Sequence, residues 1–273
     1  MRMNSKKLAL NVRKDVLEMI HRSHASHIGA AYSVADILAV LYADIMNYDA
    51  ANPKWKDRDR LVLSKGHAGS ALYATLAEVG YFDKSVLDTY DLDGSPLSGH
   101  ISHKGVPGVE FSTGSLGHGV CVATGLALAL KIDGSSSHVY AITGDGECDE
   151  GSFWETIMFA NQYNLSNFTI VIDRNGMQAM GDVKDVMDTG DLGRKIKEFG
   201  WNVIDVDGHD HDALRDAFLT KFNNGKPTCV VAKTTKGKGV SFFENSLLWH
   251  YRDPQGEAYE NAKKELEGLD DEK

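Results

Sequence analysis

Five short apolar runs, each broken by a polar turn, limit what this chain can fold into. They are "RLVLSKGH" ending at His67, "HVYAITGDG" ending at Gly146, "FTIVIDRNG" ending at Gly176, "WNVIDVDGHD" ending at Asp210 and "TCVVAKTTKGKG" ending at Gly239. Each is β-branched-rich and apolar on both faces, as strands buried in a parallel sheet are. Helical patterns separate them. "ALYATLAEVG" follows the first, and "SFWETIMFANQYN" follows the second with Phe153, Ile157 and Ala160 on one stripe. "LGRKIKEFG" and "HDALRDAFLTKFNNG" precede the fourth and fifth. This alternation predicts an α/β fold in three layers, a parallel sheet with helices on both faces. Crossovers are expected to set consecutive strands side by side with their carboxyl ends on one edge, where such sheets bind ligands. Lys65, Gly66, His67, Asp145, Asn175, His209 and Lys236 are then expected on one rim.

At 273 residues the chain is read as a single domain, 1–273. A formal net charge of −10 argues against a nucleic-acid partner. Lys6, Lys7, Arg13 and Lys14 fall on one amphipathic helix that carries Leu8, Val12, Val16, Met19 and Ile20 at helical spacing. No secretory leader is read there. No stretch is read as approaching the roughly 18 apolar residues of a membrane span. Cys121, Cys148 and Cys229 are odd in number and far apart, which suits reduced thiols in the cytoplasm. "SVADILAVLYADIM" reads as a helix capped by Ser33 with Asp36 as its acidic third residue. The acidic tail "EGLDDEK" reads as frayed and solvated. The insert 83–118 is long enough to be functional or disordered.

Taken alone, Gly144-Asp145-Gly146 is as consistent with a plain turn as with a site. Its place after a strand sharpens it. Glycines let a ligand approach the backbone, Asp145 offers a hard oxygen, and the helix that follows favours an anion. Asn175 ends the next strand, one βαβ unit later. An amide oxygen beside a carboxylate, with phosphate and backbone oxygens, suits the octahedral shell of Mg²⁺. Alone, Asn175-Gly176 is an ordinary left-handed turn; the pairing is the more specific signal. Histidine suits proton transfer near neutral pH, although a lone His67 or His100 fits a capping role equally well.

The pairing resembles the thiamine diphosphate fingerprint. "DRLVLSKGHAGSALYA", "SGH", "EFSTGSLGHGVCVATGLALA", "GDGECDEGSFWET", "DRNGMQAMG", "DGHD" and "KGKGVSFFEN" followed by "WHYRDP" resemble, in order, the N-terminal diphosphate-binding domain of transketolases, over residues 8–254. The resemblance implies that Asp145, Asn175 and the Met177 carbonyl hold Mg²⁺ (or Ca²⁺). Gly144 and Gly146 would make room for the diphosphate, with the Gly146 N–H donating to it. His67 and His250 would contact the diphosphate or flank the donor sugar. His27 would stand over the reacting carbon and His100 would meet donor hydroxyls. Gly114 and Leu116 would touch the aminopyrimidine, Lys236 would contact phosphate, and Glu150 would lie at the subunit interface. Glu147 and Asp149 are expected to be merely solvated. His138 reads as structural; His118, His209 and His211 read as near-site loop residues.

In that family a glutamate on the pyrimidine side lies in a second α/β domain, and the acceptor-channel arginines also lie beyond the first. The expectation is therefore the N-terminal subunit of a split transketolase, a two-carbon ketol transferase acting on a ketose (phosphate) donor and an aldose (phosphate) acceptor. Its partner chain would carry the pyrimidine-binding and C-terminal domains, in a two-plus-two heterotetramer. Ile28 stands where the family pattern has Pro, and Ser115 and His118 stand in "TGSLGHG" where Pro and Gln are common. These departures bear on substrate rather than cofactor. The alternatives are the α chain of a 2-oxo acid dehydrogenase, a deoxyxylulose phosphate synthase-like chain, or a non-catalytic cofactor-binding module.

Overall fold

A computed structural model describes residues 2–271. In chain order the elements are α1 (Ser5–Ser23), α2 (Ile28–Val40), β1 (Arg60–Leu63), α3 (Gly69–Glu78), α4 (His118–Ile132) and β2 (Val139–Gly144). Then come α5 (Gly151–Gln162), β3 (Phe168–Arg174), α6 (Val183–Val186), α7 (Leu192–Glu198) and β4 (Asn202–Asp207). The chain closes with α8 (His211–Leu219), β5 (Thr228–Lys233), α9 (Leu248–Tyr251) and α10 (Glu257–Asp271). All five strands run parallel.

Strand side chains alternate between two cores, as a pleated sheet requires. Leu61, Leu63, Ile142, Val171 and Val230 pack with α1, α2, α3, α8 and α10. Val62, Ala141, Ile170, Ile172 and Val231 pack with α4, α5 and α7. The three layers expected from the alternation are therefore present.

The strand order differs from the expected sequential one: it is β1-β2-β3-β5-β4. The chain steps past one position after β3, reaches the edge as β4, and returns to fill the gap with β5. That reversal of direction explains why α8 lies on the opposite face from α5 and α7, since each crossover must keep its right-handed turn. Being at the edge, β4 is half-exposed rather than buried, and Asp205 points to solvent.

Three other expectations are corrected. The second helix begins at Ile28, with His27 as its N-cap, so Ser33 and Asp36 lie inside it. Ser33 is fully buried and donates to Asp173 Oδ2 at 2.6 Å. Ile28–Ile45 does have the length and apolarity of a membrane span, but 89% of it is buried within the fold, so it is a core helix. The tail is helical through Asp271, and Asp270 receives Lys7 at 2.6 Å and also Lys14; residues 272–273 of the acidic tail lie outside the described residues.

Candidate active site

A cavity of about 500 Å³ opens at the carboxyl ends of β1, β2 and β3. Its wall holds every residue that the sequence reading placed in the site: His27, His67, His100, Gly114, Leu116, Gly144, Asp145, Gly146, Glu150, Asn175, Met177, Lys236 and His250. His209 is the exception to the expected rim. Its Nδ1 bonds Asp36 Oδ2 at 2.7 Å, and its Nε2 accepts the Thr235 N–H at 2.8 Å. His211 also turns to Asp36, at 3.1 Å. These two histidines and Arg13 close on one buried carboxylate away from the cavity. Burial opposes ionisation of Asp36, but the Arg13 guanidinium and the two imidazoles hold it well below the usual carboxylate range.

At the floor, Asp145 Oδ2 accepts the Gly176 N–H at 2.7 Å, and Asn175 Oδ1 accepts the Met177 N–H at 3.1 Å. The turns after β2 and β3 are thus clasped directly. Burial pushes the Asp145 carboxyl up to about 6, only partly offset by that N–H. A carboxylate in this state favours a cation beside it. Neither Gly144 nor Gly146 has a positive φ, and a Cβ at either would meet nothing closer than 3.4 Å. The protein itself leaves room there, which is what a ligand-facing turn requires. Gly66 and Gly117 are glycine for a different reason. A Cβ on Gly66 would lie 2.4 Å from the Thr113 carbonyl oxygen, and Gly117 has φ +79° with Ser152 Oγ 2.2 Å from its Cβ position.

Two lysines flank the floor. Lys65 pairs with the fully buried Asp173 at 2.5 Å. Asp173 also accepts from Ser33 and Thr234, so that ion pair is satisfied from three elements. Lys236 Nζ donates to the Gln178 carbonyl at 3.1 Å. Burial, then the Lys65 charge, lowers Lys236 to about 8.

Above the floor stand four histidines. The His27 ring lies 5.3 Å from His67, 5.5 Å from His100 and 5.0 Å from His250. Burial is the main reason that His27 falls to about 4, helped by His100, Lys236 and Lys65. Burial and Lys236 lower His250 to about 3, and burial and Lys65 hold His67 well below the imidazole range. Neutral imidazoles at pH 7 can donate and accept without repelling one another. His27 reaches this position with φ +75°, and Ser26 Oγ lies 2.9 Å from its Nδ1. Ile28, at the first helical position, occupies a place that proline also suits.

The acidic stretch after Asp145 divides differently from expectation. Glu150 is exposed. Asp149 is half-buried and accepts from Gln178 Nε2 at 2.7 Å. Glu147 is 1% exposed, and burial raises its acid. It accepts from Ser64 Oγ and from the Gly117 N–H. An acid in a turn reads as solvated when its partners lie far away in sequence. His138 bonds Thr169 Oγ1 at 2.8 Å on the sheet, a structural place, and His118 is exposed.

A family profile described as the transketolase thiamine diphosphate binding domain matches residues 4–273. One chain of the two-part apulose-4-phosphate transketolase of Phocaeicola vulgatus is 41% identical over 255 residues, covering 93% of this chain and 90% of that one. The 6-deoxy-6-sulfo-D-fructose transketolase subunit SqwG of a Clostridium species is 41% identical over 257 residues, covering 94% of each. Among solved structures, the transketolase of Leishmania mexicana superposes with a TM-score of 0.89 at 30% identity, and that of Campylobacter jejuni with 0.90 at 30%. This chain spans 42% and 43% of those two longer proteins. The chain therefore belongs to the transketolase family, as the N-terminal, thiamine diphosphate binding subunit of its split form.

Proposed function

We propose that this subunit forms the diphosphate-holding half of a two-chain ketol transferase, which moves a two-carbon ketol unit from a ketose or ketose phosphate to an aldose or aldose phosphate. The observation that carries this reading is the ring of four neutral histidines over the same cavity whose floor joins Asp145 to the Asn175 turn. Such a ring suits a polyol substrate, and simple cofactor storage has no use for it.

Thiamine diphosphate supplies a carbon nucleophile and an electron sink for the bond being broken. The chain's own residues bind and orient. The Asp145 carboxylate, the Asn175 amide oxygen and the Met177 carbonyl are an all-oxygen donor set that fits Mg²⁺ or Ca²⁺. Among the described residues no group of three or more His, Cys, Asp or Glu could hold a metal. Diphosphate oxygens must therefore complete the shell. The Gly146 N–H, His67, His250 and Lys236 face the anion, while Gly114 and Leu116 present backbone to the aminopyrimidine. His27 moves a proton on and off the substrate oxygen beside the reacting carbon, and His100 holds donor hydroxyls.

The partner is a C-terminal subunit with the pyrimidine-binding domain, and the exposed Glu150 at the cavity rim supports an interface there. A two-plus-two assembly follows from the twofold arrangement typical of oligomers. Three unpaired cysteines, with Cys148 and Cys229 buried, support a cytoplasmic setting. Calorimetry with thiamine diphosphate and Mg²⁺, in the presence of the partner, tests the reading. Saturable binding that depends on Asp145 is expected; binding unchanged in Asp145→Ala would remove the metal assignment.

A further inference from the structure

Glu147 follows the diphosphate turn directly, yet its bonds run elsewhere. Its Oε1 accepts from Ser64 Oγ, at the end of β1, and from the Gly117 N–H at 2.9 Å. Ser64 Oγ in turn accepts the Val120 N–H at 2.8 Å, in the first turn of α4. One carboxylate oxygen therefore joins the β2 turn, the β1 end and the loop that runs from Gly114 to Gly117.

That loop has little freedom elsewhere. Thr113 Oγ1 donates to the Leu63 carbonyl at 2.6 Å. A Cβ on Gly119 would lie 2.7 Å from Ser64 Cα. The loop lies flat on the end of β1, and Glu147 fixes its distance from the Gly144–Gly146 turn.

A purely structural tie would satisfy both carboxylate oxygens. Here Oε2 is buried with no partner, and Glu147 is part of the cavity wall. Buried polar atoms are paired in nearly all cases, so an unpaired one in a cavity wall calls for a donor from the ligand or a bound water. We propose that Glu147 is a cofactor-positioning residue, which holds the pyrimidine-side loop at a set separation from the diphosphate turn. This rests on the thiamine diphosphate reading given above.

The two ends of the cofactor give the test. In the complex with its partner, affinity is measured for thiamine diphosphate and, separately, for inorganic diphosphate, each with Mg²⁺. Glu147→Ala should weaken thiamine diphosphate roughly tenfold or more, because the loop must be ordered on binding, while inorganic diphosphate stays within about threefold. Glu147→Gln keeps the shape and the Oε1 acceptor, and should return thiamine diphosphate to within about threefold of wild type. Equal weakening of both ligands by Glu147→Ala, or no change in either, overturns the inference. If that variant does not fold, Ser64→Ala takes its place, with the same selective loss expected and the same two outcomes against it. Absence of thiamine diphosphate binding in the wild-type complex overturns the cofactor reading itself, and the inference with it.

Discussion

His27 and His250 meet twice: the His27 backbone N–H donates to the His250 carbonyl at 2.9 Å, and their rings stand 5.0 Å apart at 88°. One precedes α2 and the other lies in α9 near the end of the chain. The contact closes the cavity by joining the segments before and after the sheet. It also holds His27 in its left-handed backbone conformation.

That conformation shapes the first prediction. Asn tolerates the left-handed region better than other non-glycine residues, so His27→Asn removes the imidazole with little backbone cost. In the reconstituted complex its kcat should fall by roughly 10²–10⁴, the range for a lost general acid–base group. Cofactor affinity should stay within about threefold. An unchanged kcat would take His27 out of the reaction.

The histidine ring also makes a prediction in pH. His27 at about 4 and His250 at about 3 lie below the roughly 6.5 of a free imidazole, as does His67. A depressed folded value means that each contributes no instability above about pH 6.5, and that the fold loses stability as pH falls from there toward the folded value. Imidazole NMR signals of the three should stay flat from about pH 5.5 to 8. Midpoints near 6.5 would show that the rings are more solvated than the structure has them.

A third prediction concerns Asp36. Arg13 bonds it through two nitrogens, at 3.0 and 2.6 Å, with both residues buried. Asp36→Ala leaves a buried guanidinium without its counter-ion, and should cost about 3–5 kcal/mol in denaturant unfolding. The folded Asp36 value is depressed, so its contribution is present above about pH 3.9 and fades as pH drops below that. A loss under about 1 kcal/mol would mean that water reaches Arg13.

Metal binding can be separated side chain from backbone. Asp145→Asn should raise the Mg²⁺ concentration for half-maximal cofactor binding by about tenfold or more, since a carboxylate is exchanged for a neutral amide. Met177→Leu should leave it unchanged, because only the Met177 carbonyl is invoked. Equal effects in the two variants would place the metal elsewhere.

Much of this was legible in the chain. The five strands, their carboxyl edge and the Asp145–Asn175 spacing follow from local patterns, because hydrophobic period and turn chemistry are local properties. The place of β4 at the edge was not, since the order of strands depends on which gap the chain skips, and "WNVIDVD" differs from a central strand only by two acids. The tertiary partners of acids were hidden too. Asp36 reads as a helix cap because its acid lies three residues after a serine, yet Arg13, His209 and His211 come to it from other elements. Glu147 reads as solvated for the same reason.

The central claim is that this subunit works only as half of a site. Ketol transfer should be assayed with thiamine diphosphate, Mg²⁺ and a panel of ketose and ketose phosphate donors, for this chain alone, the partner alone, and the two mixed. The account predicts turnover in the mixture and none in either chain by itself. Full turnover by this chain alone, or none in the mixture with any donor while both chains are folded and bound to each other, would contradict it.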